Sequence, residues 1–127
     1  MAEKIMHYSL EEILKMDKRF RATFINSLGG FKSVVLIGSK SKDGYENLAI
    51  FNSIVHIGAT PPLIGFIVRP DSVERHTLEN ILETKCYTFN HINEDIIPQA
   101  HQTSARYPKE TSEFEAVGLS PEYKSGV

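Results

Sequence analysis

The chain has 127 residues, the usual size of one domain, and 41% of them are hydrophobic against 24% charged. These proportions are typical of a folded globular domain, so they exclude a disordered chain and a fibrous repeat. Fourteen Lys and Arg residues against sixteen Asp and Glu residues give a net charge of −2. Nucleic acid and anionic membranes are therefore poor partners, since both require excess positive charge, and we expect a single domain over residues 1–127.

The first predicted elements are two short helices. Ser9 and Glu12 have the spacing of a capping box, in which the serine side chain accepts from the Glu12 amide and the glutamate reaches back. Apolar residues recur at helical spacing over 10–16, and again over 20–28 until Gly29-Gly30 ends the pattern.

A β-hairpin and a third strand follow. Residues 33–39 are β-branched and almost uninterrupted, which predicts a buried strand, and Asp43-Gly44 supplies the chemistry of a turn. The partner strand is expected over 47–55. After a break at 58–62, a third strand is expected over 63–68.

The rest of the chain alternates between helix and strand. Thr77 is a suitable N-cap for a helix over 78–83, strand character returns over 86–90, and proline at a first-turn position predicts a short helix over 98–103. Residues 104–127 are polar and contain no convincing strand. This element order predicts an α+β domain around a mainly antiparallel sheet or barrel.

The single cysteine, Cys86, cannot form an internal disulfide. Within an apolar strand it is interpreted as a small buried hydrophobe rather than a reactive thiol. The first residues lack the apolar segment of a secretion signal, and no apolar run approaches the ~20 residues that cross a bilayer. We therefore expect a cytoplasmic protein that does not contact a membrane.

The segment 69–77 is the strongest candidate for binding an anion. It leaves a strand, carries Arg69, Arg75 and His76, and brings Thr77 to the start of a helix. Free backbone N–H groups and the positive end of the helix dipole bind phosphate at such a start, and guanidinium groups add charge-assisted hydrogen bonds. The alternative is that Thr77 only caps its helix and the arginines are solvated.

The strand after the hairpin turn is the second candidate. Alternation directs Leu48 and Ile50 to one face and Asn47, Ala49 and Phe51 to the other. A flat ligand can lie against the second face, where a small residue is next to polar groups. The alternative is an ordinary strand edge in which Asn47 closes a turn.

Other chemical motifs are weak or absent. The histidines are too scattered for a metal site, so no bound metal is expected. The sequence contains neither a nucleophile motif nor a Rossmann or P-loop glycine pattern. Glu113 and Glu115 are expected to be ordinary solvated acids.

Short segments along nearly the whole chain carry a more specific pattern. They are NLAIFNS (47–53), PPLIGF (61–66), RP (69–70), RHTLENI (75–81), YTFN (87–90), AHQTSAR (100–106) and SEFE (112–115). In this order and at this spacing, they resemble the flavin reductase-like, FMN-binding split-barrel family.

The resemblance implies an antiparallel split β-barrel with short flanking helices, which holds FMN non-covalently near the interface of a homodimer. It implies an oxidoreductase that transfers electrons between NAD(P)H or another donor and the flavin. No catalytic side chain is expected, because the flavin carries the redox chemistry. Family members continue past residues 118–121 into strands that close the barrel, and we expect those strands to be missing. The alternatives are a flavin-binding or structural remnant without turnover, and a small electron-transfer flavoprotein with a protein partner.

The resemblance also implies a set of flavin-binding residues. The strand at 47–53 would border the isoalloxazine ring, Arg69, His76 and Thr77 would hold the phosphate, and Asn80 would help to fix that turn. The full expected set is Asn47, Leu48, Ala49, Asn52, Ser53, Arg69, His76, Thr77 and Asn80, with Ser104 and Arg106 as further contacts that reach the flavin of a neighbouring subunit.

Overall fold

A computed structural model describes residues 4–70 and 76–124 of the chain. Packing divides the chain into an N-terminal unit, Met1–Lys32, and a larger second unit, Ser33–Val127. The first unit is helical, and the second contains the strands and the remaining helices.

The N-terminal unit contains helices α1 (Leu10–Lys15) and α2 (Lys18–Leu28). The predicted capping box begins α1, since Ser9 Oγ accepts from the Glu12 amide at 3.2 Å and Glu12 accepts from the Ser9 amide at 2.7 Å. These backbone and side-chain hydrogen bonds from Ser9 lower the pKa of Glu12. Asp17 caps α2 by accepting from two backbone amides of its first turn. Both predicted helices are confirmed.

The second unit combines antiparallel strands with short helices. Its strands are β1 Val35–Lys40, β2 Glu46–Phe51, β3 Ile54–Ala59, β4 Pro62–Phe66 and β5 Thr88–His91, and its helices are α3 His76–Thr84, α4 Ile97–Gln102 and α5 Glu113–Val117. Within the described residues, β2, β1 and β5 form one sheet in that order, and β3 pairs with β4 in another. All of these pairings are antiparallel.

The predicted hairpin joins β1 and β2. Val35 lies opposite Phe51, and Lys40 lies opposite Glu46 at the turn. The turn requires a left-handed residue, and Gly44 supplies it with φ of 93°. Asp-Gly turn chemistry therefore specified the connection as expected.

The continuous strand predicted over 47–55 is wrong. β2 ends at Phe51, and β3 begins at Ile54 in the other sheet. The backbone of β2 is paired with β1, whereas that of β3 is paired with β4, so the chain changes sheets at Asn52 and Ser53. The polar pair Asn52-Ser53 interrupts the apolar run at this change, and the prediction of one continuous strand passed over it.

The core of the second unit lies between the three-stranded sheet and helix α4. Leu36, Leu48 and Ala100 are fully buried at its centre, and Phe114 and Leu119 pack against them. A cluster of edge-to-face rings links the two sheets, with centroids 4.9–5.9 Å apart, and its members are Phe51, Phe66, Tyr87 and Phe89.

The helices of the second unit differ from expectation at two places. Thr77 lies inside α3, which already includes His76, so Thr77 is not its N-cap. Its hydroxyl is bonded across to β2 instead. Helix α5 was not expected at all, although Ser112 and Glu115 repeat the spacing that begins α1, and Gly118 ends the helix with φ of 77°.

Cys86 is exposed, which corrects the expectation of a buried side chain. The predicted strand over 86–90 begins two residues later, at Thr88, so Cys86 lies in the connection that follows α3. Its neighbour Lys85 is in the left-handed conformation with φ of 60°, which turns the chain out of the helix.

The architecture is the expected α+β arrangement of antiparallel sheets and a few short helices. Across residues 4–70 and 76–124, the two sheets do not close into a continuous barrel. None of the described helices is long and apolar enough to cross a membrane.

Candidate functional site

A cavity of about 660 Å³ opens beside β2 in the second unit. Its walls come from β2, α3, the segment after α4 and the start of α5. The volume falls within the range of about 300–1,000 Å³ that small-molecule sites occupy. This main cavity brings together six of the predicted site residues, namely Asn47, Ala49, His76, Thr77, Ser104 and Arg106.

One face of β2 forms a wall of the main cavity. Asn47, Ala49 and Phe51 line it, while Leu48 is buried in the core on the opposite face. The predicted alternation is confirmed for Leu48, whereas Ile50, expected on the same face, packs against the core and also contributes to the cavity lining. Leu48 therefore contributes its backbone amide, rather than its side chain, to the surroundings of the cavity.

The side chain of Asn47 lies between Thr77 and Glu113. One end of its amide is 2.7 Å from Thr77 Oγ1, and the other end is 3.2 and 3.3 Å from the two carboxylate oxygens of Glu113. A carboxylate only accepts hydrogen bonds, so the amide nitrogen faces an ionised Glu113. In that orientation Asn47 Oδ1 accepts from the Thr77 hydroxyl.

Glu113 is a buried carboxyl in the wall of the main cavity. It is 7% exposed, and its Oε2 accepts from the backbone amide of Leu48 at 3.1 Å. Burial raises the pKa of Glu113, while the Leu48 hydrogen bond and the nearby positive charge of His76 act in the opposite direction. Desolvation is the largest of these effects, so the pKa of Glu113 lies above its ordinary value.

The expectation of a solvated Glu113 is therefore wrong, whereas Glu115 is exposed as expected. Helix α5 packs on β2, which turns its first residue inward and the next carboxylate outward. The capping spacing of Ser112 and Glu115 signals this helix in the sequence, even though Ser112 makes no side-chain cap. Had the helix start at Glu113 been recognised, Phe114 would have been assigned to the core. The residue before it, Glu113, would then have been expected close to the sheet.

Asn80 holds α3 in place from outside the cavity lining. It is buried, and its Nδ2 donates to Ser39 Oγ of β1 at 3.2 Å. Thr84 donates back to the Asn80 carbonyl at 2.8 Å. Asn80 thus attaches α3 to the central strand, and Thr77, one turn earlier, contacts the adjacent strand.

Asn52 and Ser53 lie at the change of sheet, away from the cavity lining. Asn52 is exposed. Ser53 Oγ donates to the Ile67 carbonyl at 2.7 Å, and the Ile67 amide donates to the Ser53 carbonyl at 3.2 Å. These bonds fix the connection between the two strands, and a flavin contact at either residue stays a prediction.

The arginines of the predicted anion segment are not in the cavity lining. Arg69 is exposed, and Arg75, with the rest of 71–75, lies outside the described residues. The cavity instead has Arg106 in its lining, within the segment that follows α4. Ser104 in that segment donates to the His101 carbonyl at 2.7 Å, which closes the end of α4.

A smaller cavity of about 340 Å³ lies elsewhere in the second unit, between Tyr45 and Pro121. None of the predicted site residues lines it. Among the residues that the structure describes, no group of three or more His, Cys, Asp or Glu side chains is arranged to hold a metal ion.

The sequence matches the family model of the flavin reductase like domain over residues 29–127, which is most of the chain. The chain belongs to this family. The flavin reductase-like chain also resembles two curated proteins of uncharacterized function. It is 33% identical over 88 residues to one from Aquifex aeolicus and 31% identical over 91 residues to one from Halalkalibacterium halodurans. The aligned parts are 68% and 70% of this chain, but 45% and 44% of those proteins.

Solved structures show the same split-barrel fold. A candidate flavin reductase with a split barrel domain from Shewanella frigidimarina is 57% identical, with a TM-score of 0.89 over 94% of this chain and 59% of that one. Nitrilotriacetate monooxygenase component B from Bacillus cereus has a TM-score of 0.81 at 19% identity, over 98% of this chain and 60% of its own. The 2-nitrobenzoate 2-nitroreductase of Pseudomonas fluorescens has a TM-score of 0.79 at 22% identity, over 96% and 57%. The last two support the fold alone.

Proposed function

We propose that this flavin reductase-like chain binds FMN in the main cavity and is an oxidoreductase that transfers electrons between a reduced nicotinamide nucleotide and the flavin. The observation that carries the proposal is the meeting of Asn47, Thr77 and Arg106 at one cavity, although they come from three separate segments. Family membership supports a flavin as the ligand, and the shared cavity lining supports this position for it.

The wall formed by β2 suits the flat ring of a flavin. Ala49 leaves space against the strand, and the Phe51 ring lies beside it in the same lining. Leu48 is buried in the core behind this wall, and Ile50 packs against that core while also contributing to the lining. A wall backed by packed residues needs little ordering on binding, which lowers the entropic cost.

A second part of the lining, which we call the phosphate side, suits a phosphate group. Thr77, His76 and Arg106 share this lining, and their side chains carry a hydroxyl, an imidazole and a guanidinium. Guanidinium groups bind phosphate through charge-assisted hydrogen bonds, which are stronger than neutral ones. We assign these three residues to the phosphate, with Asn80 supporting α3 from behind.

Bound FMN would supply hydride and single-electron chemistry, and the chain would supply binding and orientation. The wall formed by β2 would orient the ring, and His76 and Arg106 would hold the phosphate. Ala49 and Phe51 would exclude water from the face of the ring that packs on them. No side chain is required as an acid or base for hydride transfer.

Titration of FMN fluorescence with wild-type protein and with Thr77→Val tests the proposal. The substitution keeps the shape of the side chain and removes its hydroxyl. We expect saturable binding by the wild type and a loss of about tenfold or more in affinity for the variant, since a hydrogen bond to a charged group contributes about 1.5–3 kcal/mol. The affinity for riboflavin, which lacks the phosphate, should differ less between the two proteins.

Thr84→Val is the matched control. It makes the same change on the same helix, at a hydroxyl that donates to the Asn80 carbonyl. It should bind FMN as the wild type does. Absence of any FMN binding by the wild type, or equal losses for the two variants, would sink the proposal.

We further propose NAD(P)H as the electron donor, a homodimer as the working assembly and the cytoplasm as its compartment. A single exposed cysteine without an internal partner suits a reducing compartment. Oxidation of NADH or NADPH in the presence of FMN tests the donor. Mass measurement during size exclusion tests the dimer, and a monomer that still turns over would contradict it.

A further inference from the structure

The phosphate side of the main cavity contains a feature that phosphate binding alone does not explain. Glu113 is buried in the same wall as Thr77, and a carboxylate there would repel a phosphate dianion. Two anions in a low-dielectric site disfavour each other strongly, so one of them tends to hold a proton. The contacts of Glu113 show where that proton would reside and what it would change.

The two oxygens of Glu113 differ in one partner. Both lie near the side-chain amide of Asn47, Oε1 at 3.2 Å and Oε2 at 3.3 Å, but only Oε2 also accepts the backbone N–H of Leu48, at 3.1 Å. Because the Leu48 bond occupies Oε2 as an acceptor, a proton on Glu113 belongs on Oε1, where it can be donated to Asn47.

When Glu113 is ionised, Thr77 donates a hydrogen bond to Asn47, and Asn47 donates one to Glu113. The Asn47 nitrogen donates to the carboxylate, and Asn47 Oδ1 accepts from the Thr77 hydroxyl at 2.7 Å. The single hydroxyl hydrogen of Thr77 is then used inside the protein. Toward the cavity, Thr77 offers lone pairs, which a phosphate oxygen does not bind.

When Glu113 is protonated, the same contacts reverse. Oε1 donates to Asn47 Oδ1, and the turned amide donates through Nδ2 to Thr77 Oγ1, again at 2.7 Å. The Thr77 hydroxyl hydrogen is released and can be donated to a ligand in the cavity. A phosphate oxygen is the acceptor that matches it.

We propose that Glu113 is a positioning residue of the flavin site, acting through Asn47 to decide whether the Thr77 hydroxyl donates into the cavity or into the protein. This inference rests on the proposed function, because it takes the FMN phosphate as the ligand at Thr77. Binding of FMN is then accompanied by uptake of a proton on Glu113. The raised pKa of that carboxyl is consistent with ready protonation.

Other charged groups share the cavity lining with Glu113, and a test must distinguish their effect on the affinity from the effect of Glu113. His76 on α3 and Arg106 after α4 share the same cavity lining, while Glu115, on its own helix, is exposed. β2 contributes Asn47 and the Leu48 amide at this point, and the carboxylate of Glu46 lies at the smaller cavity instead. The decisive variant therefore keeps His76 and Arg106 and removes only the acid.

The experiment is the affinity for FMN between pH 5 and pH 8 in wild type, Glu113→Gln and Glu115→Gln. A glutamine at 113 mimics the protonated acid, because it donates to Asn47 Oδ1 while its oxygen accepts from Leu48. We expect the wild type to lose about 10- to 100-fold in affinity relative to Glu113→Gln as the pH rises, which is the range for one hydrogen bond to a charged group. Glu115→Gln, with the same charge change at an exposed site, should follow the wild type.

The phosphate of FMN has its own proton, with a pKa near 6. It contributes equally to all three proteins and cancels in the difference between their curves. Riboflavin lacks the phosphate, so its affinity should differ little between wild type and Glu113→Gln. An equal pH-dependent difference with riboflavin would overturn the inference, because Thr77 would then not act on the phosphate.

Parallel pH curves for wild type and Glu113→Gln would overturn this inference and leave the proposed function standing. No FMN binding by any of the proteins would overturn both. Calorimetry gives a second readout: the heat of FMN binding at pH 7.5 is measured for wild type and Glu113→Gln in two buffers of different ionisation enthalpy. Greater proton uptake by the wild type than by Glu113→Gln supports the inference, and equal uptake contradicts it.

Discussion

Asn47 on β2 and Thr77 on α3 are joined by a buried contact of 2.7 Å across 30 residues of sequence. It attaches the first described turn of α3 to a strand whose opposite face lies in the core. The contact therefore links the proposed ring-binding wall of the main cavity to its proposed phosphate side. The carboxyl of Glu113 lies beside this contact, and the three-stranded sheet supports both.

Asn47→Ala should lower the free energy of unfolding by about 1–3 kcal/mol, since it leaves Thr77 and Glu113 without their shared partner in a buried site. The measurement is urea denaturation at pH 7. Asn52→Ala is the control, because Asn52 is exposed, and its effect should stay within about 0.5 kcal/mol. Equal effects of the two substitutions would show that the buried amide does not stabilise the fold.

Glu113 should make the unfolding free energy depend on pH. Burial raises its pKa in the folded protein above the ordinary value of 4.5. Its contribution is then fully present below pH 4.5 and is lost as the pH rises through the folded pKa, by about 1.4 kcal/mol per pH unit between the two values. Denaturation of wild type and Glu113→Gln at several pH values measures the difference in slope.

In that comparison, Glu113→Gln should gain stability relative to the wild type as the pH increases from 4 to 8. Glu115→Gln should show no such gain, because its carboxylate is exposed. If the wild type were instead to gain relative to Glu113→Gln with rising pH, the carboxylate would be stabilised as an anion, and burial would not dominate its environment.

Gly38→Ala should destabilise the central strand by about 1–3 kcal/mol through overpacking. A Cβ at Gly38 would lie 2.8 Å from Thr88 Oγ1 on the neighbouring strand β5. Thermal or urea unfolding measures the loss. Adding Thr88→Ala removes the clashing atom, so the double variant should recover part of that loss, and strictly additive effects would contradict the clash.

Arg106→Gln should weaken FMN binding more than Arg69→Gln. Arg106 lines the main cavity, whereas Arg69 is exposed and outside that lining. Loss of a charge-assisted hydrogen bond to phosphate corresponds to a decrease of about tenfold or more in affinity. Fluorescence titration of both variants with FMN and riboflavin gives the comparison. A larger loss at Arg69 would restore it as the main phosphate contact.

Elements with a local signature could be predicted from the sequence. The capping box at Ser9, the turn at Gly44 and the alternation of Leu48 with Ala49 each depend on neighbouring residues, and the structure has all three. The flavin reductase-like family was also recognisable, because several segments share its order and spacing. The single-domain extent over 1–127 stays a prediction.

What sequence reasoning missed depends on partners distant in the chain. The change of sheet at Asn52 depends on which strand pairs with which, and the polar pair Asn52-Ser53 does not by itself show that the strands on either side belong to different sheets. Glu113 is buried because α5 packs against β2, 65 residues away from its Leu48 contact. From its charge and polarity alone, such a residue is expected to be exposed to solvent.

The most direct test of the central claim, that the main cavity binds FMN, is a map of backbone amide chemical shifts during titration with FMN. We expect the largest changes at Ala49, Thr77 and Arg106, which line the main cavity, and little change at Tyr45 and Ser120, which line the smaller one. Changes confined to the smaller cavity, or no changes at saturating FMN, would contradict the claim.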